Sequence, residues 1–156
     1  MRGIASRLGV SATALYQHFE SKGALLREIR LYGVELLSKE VSEPCEAIAD
    51  PIERLRCMAQ RYVAEARAQP WLYTVLMQAA QLDWSTMSAD EIQQTLRPLT
   101  TLRAWLREGA ERGCWRPGLD PDLASFRLWA TLHGLCSMMI GGRLDEHHPA
   151  FPVTNQ

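Results

Sequence analysis

No two of the four cysteines, Cys45, Cys57, Cys114 and Cys136, stand in a Cys-x-x-Cys spacing. Zinc ribbons and dithiol redox motifs need that spacing, so neither is expected. The four read as ordinary thiols of a reducing compartment rather than a disulfide framework. No apolar run reaches the ~20 residues of a membrane span. The longest candidate, around Leu128–Ile140, is interrupted by Thr131, His133 and Ser137. The chain opens directly on a helix pattern, so no signal peptide is expected. No segment alternates like a strand, and there is neither an internal repeat nor a low-complexity stretch. No Ser-His-Asp, Cys-His or paired-carboxylate arrangement has the context that a nucleophile or acid–base pair needs. An enzyme is therefore not expected, and no cofactor is implied.

What is present is a globular composition. Hydrophobic residues make up 47% of the 156, enough for a sizeable core. The overall charge of −1 hides an asymmetry. Residues 1–30 carry Arg2, Arg7, Lys22, Arg27 and Arg30 against Glu20 and Glu28, a net +3, and the remainder carries −4. A basic head on an acidic body suits a head that meets phosphate.

The periodicity predicts helices throughout. Ile4 and Leu8 lie one turn apart, and Gly9 breaks that helix. Ser11 caps a second short helix, with Leu15 and Phe19 on its inner face. Ser21 caps a third, from Lys22 to about Glu40. Asp50-Pro51 is a strong start signal for a helix to about Gln69, expected to bury Ile52, Leu55, Met58, Tyr62 and Val63. Pro70 opens the next helix, and a polar loop at residues 83–88 ends it. Ser88 and Glu91 form a capping box. Pro98 is expected to divide the following stretch and to start a helix to Arg112 with the stripe Leu99, Leu102, Leu106 and Ala110. Asp120-Pro121 starts the last helix, to about Gly141. That helix is apolar almost all round, as expected when a second subunit covers part of it.

Two short helices joined at a glycine, with a basic flank, suggest a helix-turn-helix over Arg2–Phe19. Such a unit places the start of its second helix in the major groove. Thr13 could then reach a thymine methyl or base edge, and Gln17 an adenine. Tyr16, His18 and Lys22 suit phosphates, as do the backbone amides near Ser21–Gly23. Arg2, Ser11 and Ala12 complete the candidate DNA-contacting set.

The run Ile4-Ala5-x-x-Leu8-Gly9-Val10-Ser11-x-x-x-Leu15-Tyr16-x-His18-Phe19-x-Ser21-Lys22-x-x-Leu25-Leu26 resembles the DNA-binding signature of the TetR family. Ala12 departs from it, since the family often has a basic or polar residue there. Further on, Arg107-Glu108-Gly109, Gly113, Asp120-Pro121 and Trp129-x-x-x-His133-Gly134 resemble a regulatory-domain subtype known for a Trp-His-Gly signature. The resemblance implies an all-α homodimer, a cytoplasmic bacterial regulator that binds operator DNA and is released by a small-molecule effector. The family leans to repression, so a repressor is the expectation. The resemblance also implies a DNA-binding domain with its connecting helix at 1–42 and a ligand-binding and dimerisation domain at 43–142, while residues 143–156, with His147, His148, Pro149 and Pro152, read as a flexible tail. The last two helices would form a four-helix bundle with a partner, through Leu102, Leu106, Phe126, Trp129, His133, Gly134 and Met138. Candidate effector-pocket walls are Tyr62, Trp71, Met77, Trp84 and Trp105, for a hydrophobic, neutral or mildly cationic effector. His133 reads as a satisfied core histidine, and Asp145-Glu146-His147-His148 as a tail rather than a metal site.

Family members carry a further helix ahead of this motif, whereas the resemblance begins at Met1. Without that helix, Ile4, Leu8, Leu15 and Phe19 are expected to lose part of their cover, and the chain to bind DNA poorly. The alternative reading is therefore a dimeric ligand-binding or interaction protein with a weak DNA reader.

Overall fold

The computed structural model describes residues 1–77 and 84–143. The expected loop start at Asp83, the tail from Leu144 onward and the Asp145–His148 cluster lie outside the described residues. Among those described there are helices and no strand. The α-helices are α1 (Arg2–Leu8), α2 (Ala12–His18), α3 (Lys22–Leu37), α4 (Pro51–Ala68), α5 (Pro70–Met77), α6 (Ala89–Glu111) and α7 (Pro121–Ile140). A π-helical turn, Ser38–Ser42, and a 3-10 turn, Glu43–Cys45, continue α3. A second 3-10 turn, Trp84–Thr86, precedes α6.

The helix starts follow local chemistry. Ser11 Oγ accepts from the Ala14 amide, and Ser21 Oγ from the Ala24 amide, each at 3.0 Å. Asp50 and Asp120 each accept two amides of the turn they open, with proline at the next position. Ser88 and Glu91 form the full reciprocal capping box. Each such cap is worth about 1 kcal/mol. Gly9 ends α1 at φ 68°, the left-handed region that favours glycine. The Val10 amide then reaches back to Ala5 O, closing the end of α1.

Three expectations about elements need correction. The α geometry of α3 stops at Leu37, not Glu40, because the chain widens into the π turn. There the Ser38 hydroxyl donates back to Val34 O at 3.1 Å. Pro98 does not divide the helix: α6 runs unbroken through it. An interior proline removes one backbone bond and costs ~3 kcal/mol. Packing of α6 against α3, α4 and α7 offsets that cost, with Leu102, Trp105 and Leu106 all buried. Finally, Ile52 is 47% exposed and Ala110 is exposed. In their places Arg54 and Gly109 are the buried residues.

The main core joins Val41 and Cys45, after α3, to Met58 on α4 and to Leu102, Trp105 and Leu106 on α6. Leu128, Trp129 and Leu132 of α7 pack against it. Cys45 and Cys57 are joined in a disulfide, with Cα atoms 6.1 Å apart, which corrects the reading of all four cysteines as ordinary thiols. The turns after α3 fold the chain back over the start of α4, a proximity that sequence spacing does not encode. Cys114 and Cys136 are free.

Gly109 has a packing reason. A Cβ built there would stand 2.4 Å from the Trp115 ring. That ring is pinned, because Trp115 Nε1 donates to Leu106 O at 2.8 Å. Gly109→Ala is expected to cost about 1–3 kcal/mol through overpacking. At about 2–4 °C per kcal/mol for a chain of this size, thermal unfolding resolves the change. An unchanged midpoint would mean that Trp115 moves aside freely.

Candidate nucleic-acid interface and ligand cavity

α1 and α2 pack together over Ala5 and Leu15, both buried, and Leu25 of α3 is buried as well. This leaves Thr13, Tyr16 and Gln17 exposed on α2, with Tyr16 at 54%. Arg2, His18 and Lys22 are also exposed. So is Ser11, but its hydroxyl is already used as the cap of α2. Ala12 is half-buried and offers no polar group. Apart from Arg2, which opens α1, the sequence-derived residues thus lie on or next to one short helix, α2, at the basic end of the chain. Leu8, at 64% exposure, and Val10, at 45%, form an uncovered apolar edge on the same unit.

α3 leaves this unit and runs into the body. Its residues Arg30, Val34 and Leu37 line a cavity of about 370 Å³. α4 contributes Met58 and Tyr62, α5 contributes Leu76 and Met77, and α6 contributes Leu96, Pro98, Leu99 and Leu102. Trp129 and Leu132 of α7, together with Trp84, Val41 and the hydroxyl-bearing Ser42 and Thr95, line the rest. The size lies within the roughly 300–1,000 Å³ of small-molecule sites, and the lining is mostly apolar, as such sites are.

The structure places Tyr62, Met77 and Trp84 in this wall. Trp71 is elsewhere: it is 65% exposed on the outer side of α5. Its neighbours Leu72 and Tyr73 are the buried residues of that turn. Trp105 also lies outside the lining. It is buried in the main core, with the Arg54 guanidinium 5.5 Å over its ring. Neither tryptophan's role could be told from helical spacing, because large apolar residues are spread around both α5 and α6. The contribution of α3 was missed for a related reason. Its apolar stripe reads equally well as core or as cavity wall.

The residues expected at a dimer interface divide in two. Leu102 and Leu106, at 3% and 5% exposure, are spent in the chain's own core and are not surface. Trp129 faces the cavity. Phe126 and Met138, at 56% and 39%, stand exposed on α7, and Leu123 and Leu135 join them at 44% and 40%. Gly134 has open space where a Cβ would be.

His133 is half-buried and built into a polar chain. Its Nδ1 shares a 2.6 Å hydrogen bond with Tyr73 Oη, which also donates to His133 O at 2.9 Å. The imidazole stacks on Trp129, with centroids 5.5 Å apart and planes 7° apart. Burial lowers its pKa and favours the neutral ring. Burial likewise raises the pKa of Tyr73 and of Tyr62 beside it. No helix among the described residues is long and apolar enough to cross a membrane.

Comparison with known proteins fits this architecture. Residues 1–29 match the bacterial regulatory proteins of the tetR family, and residues 55–153 match the tetracyclin repressor-like C-terminal domain. The chain is 30% identical over 106 residues to the nucleoid occlusion factor SlmA of Vibrio vulnificus (strain YJ016), a match spanning 67% of this chain and 54% of that protein. It therefore spans about half the length of such relatives. The crystal structure of the TetR family transcriptional regulator PfmR from Thermus thermophilus superposes with a TM-score of 0.70 at 29% identity, over 90% of this chain and 72% of that one. AibR in complex with isovaleryl coenzyme A and operator DNA gives 0.71 at 22% identity, over 90% and 84% of the two chains, a likeness of fold. With a family match at each end and the same all-helical architecture between them, this chain belongs to the TetR family of bacterial regulatory proteins.

Proposed function

We propose that the chain is a transcriptional repressor of the cytoplasm that holds operator DNA as a homodimer and releases it when a small molecule enters the cavity. It regulates by binding and carries out no catalysis. The observation that carries this reading is the course of α3. One helix begins directly after α2, which bears the exposed reader face, and ends in the wall of the cavity. A ligand that repacks Val34 and Leu37 therefore acts on the element that positions the reader. AibR, of the same fold, has been seen in complex with both isovaleryl coenzyme A and operator DNA. In this reading Thr13 and Gln17 meet base edges, and Arg2, Tyr16, His18 and Lys22 meet phosphates. The exposed apolar residues of α7, Leu123, Phe126, Leu135 and Met138, pack on the same helix of the partner.

The test is a gel shift with the intergenic DNA upstream of the chain's own gene, repeated over a range of salt. Retardation should weaken steeply with salt, because each phosphate contact adds ~0.9 to the log–log slope. Lys22→Ala should lower that slope by about 1 while leaving sequence preference intact. Half-sites should lie ~34–36 Å apart, or a multiple of it. The exposed Leu8 and Val10 favour a second reading, a dimeric ligand-binding protein with a weak reader. A dimer by light scattering that retards no DNA at low salt would establish that second reading and sink the first.

A further inference from the structure

Arg27 counts toward the basic head of the chain, yet its charge is directed at the body. Its Nε lies 3.5 Å from Glu91 Oε1, in the first turn of α6. That Nε is shielded from solvent and makes no hydrogen bond, so the Glu91 carboxylate is the group that compensates it. Glu91 is itself held in place, because it accepts the Ser88 amide at 2.7 Å in the capping box of α6. The bonds to Ser88, with the charge of Arg27 behind them, keep its carboxyl below the ordinary value, so it is ionised at neutral pH.

The pair is the first tie of a polar seam between α3 and α6. Glu91, Gln94 and Arg97 follow one another at three-residue intervals, each the neighbour of the next on the helix surface. Gln94 Nε2 donates to Leu31 O at 3.4 Å, and Arg97 lies 3.6 Å from Glu43, in the turns that extend α3. The seam therefore follows α3 from its second turn to beyond its far end. Of its α3 positions, Arg27 alone precedes the cavity, whose wall takes its first α3 residue at Arg30. The candidate reader ends at His18, just before α3 begins. Arg27 thus grips α3 between reader and cavity. Without that grip the near end of α3 can pivot, and two readers at loose angles must lose that freedom to meet two half-sites.

We infer that Arg27 is a positioning residue for DNA binding: tied to Glu91, it sets the angle of the reader to the body and makes no phosphate contact. The inference rests on the proposed reading of α2 as the DNA reader. It takes Arg27 out of the charge that the head offers to DNA. It also makes Glu91, an acidic residue remote in sequence from the reader, a contributor to operator affinity. That consequence separates a tie from a simple charge effect. In the field of DNA, removing a cation weakens binding and removing an anion strengthens it. Breaking a shared tie weakens binding from either side.

Binding of the intergenic DNA upstream of the chain's own gene, followed by fluorescence anisotropy over a range of salt, tests this in the full chain. Arg27→Gln and Glu91→Gln should each lower the affinity about three- to tenfold, the effect of a partly exposed ion pair acting once in each protomer. Neither should change the salt slope, whereas a lost phosphate contact lowers it by about 1. The double variant should lose no more than either single one, because the tie can be broken only once. Arg27→Lys keeps the charge and should retain most of the affinity. Glu91→Gln leaves an amide oxygen to accept from Ser88, so the capping box survives, and this variant carries the test even where Arg27→Gln unfolds. A lowered slope in Arg27→Gln would make Arg27 a phosphate contact and overturn the inference. Unchanged or tighter binding by Glu91→Gln, or additive losses in the double variant, would overturn it equally, with the reader still in place. Native protein that shows no salt-dependent binding would overturn the reading beneath it as well.

Discussion

Arg54→Ala should lower the unfolding free energy by about 2–3 kcal/mol, the cost of deleting a buried side chain together with the hydrogen bonds it makes. Arg54 is 8% exposed on α4, an unusual position for a guanidinium, and it is engaged on every side. Its Nε donates to Ile48 O at 2.8 Å, and Nη1 and Nη2 donate to Glu108 at 2.5 and 3.4 Å. Its guanidinium lies over the Trp105 ring. One side chain thus ties the loop before α4 to the last turns of α6. Alanine removes all of these contacts and leaves a hole beside Trp105 and a carbonyl without its donor. The carboxylate left behind adds little to this loss, because Glu108 is partly exposed and keeps a second partner, Arg112, at 3.1 Å.

Arg54→Met separates charge from volume, since it refills the space over Trp105 and should recover part of the loss. Urea unfolding with an unchanged slope measures both variants. A midpoint for Arg54→Ala equal to that of the native chain would mean the ion pair contributes nothing. Acid supplies a second check. The hydrogen bond from Arg54, with that from Arg112 behind it, holds the Glu108 carboxyl below its ordinary value of 4.5. A carboxyl lowered in the folded state adds stability that is complete above the unfolded value. That stability is lost as pH falls through the lowered one. The native protein should therefore lose stability below about pH 4.5, and Arg54→Ala should lose less over the same window.

The residues that were legible in the sequence act locally. Gly9, Ser11, Ser21, Asp50, Ser88 and Asp120 each fix a helix end through atoms a few residues away. Their effect is written in neighbouring letters. The candidate reader was legible for the same reason, because α1 and α2 bury Ala5 and Leu15 within one short stretch. Illegible were the choices that depend on distant packing. Trp71 and Trp105 look alike in sequence, yet one faces solvent and the other sits under Arg54. Leu102 and Leu106 suit a partner as well as they suit a core. Only the closeness of α4 and α7 to α6 assigns them to the core. Pro98 is a helix breaker by local rule, and tertiary burial overrode that rule.

Reduction of the Cys45–Cys57 disulfide, which spans a sequence separation of 12, should cost about 3 kcal/mol, the entropy released when a loop of this length is reopened in the unfolded chain. The position of the bond gives the cost a functional reach. Cys45 is the last residue of the turns that extend α3, and Cys57 lies in the second turn of α4, next to Met58 of the cavity wall. The covalent link thus fixes the far end of the helix whose near end adjoins the candidate reader. Cys45 is fully buried, so reductant acts on it slowly in the folded state and promptly after unfolding. Thiol titration in guanidinium should find two groups, Cys114 and Cys136, before reduction and all four cysteines after it. Urea unfolding of the two forms then gives the difference directly. Four thiols without added reductant would remove the bond from the purified protein. Equal stabilities of the oxidised and reduced forms would mean that packing of Val41, Met58 and Leu106 holds this corner without help. If the loss appears, reduced protein should also bind operator DNA more weakly than oxidised protein at the same salt, because α3 would be anchored at its far end by packing alone.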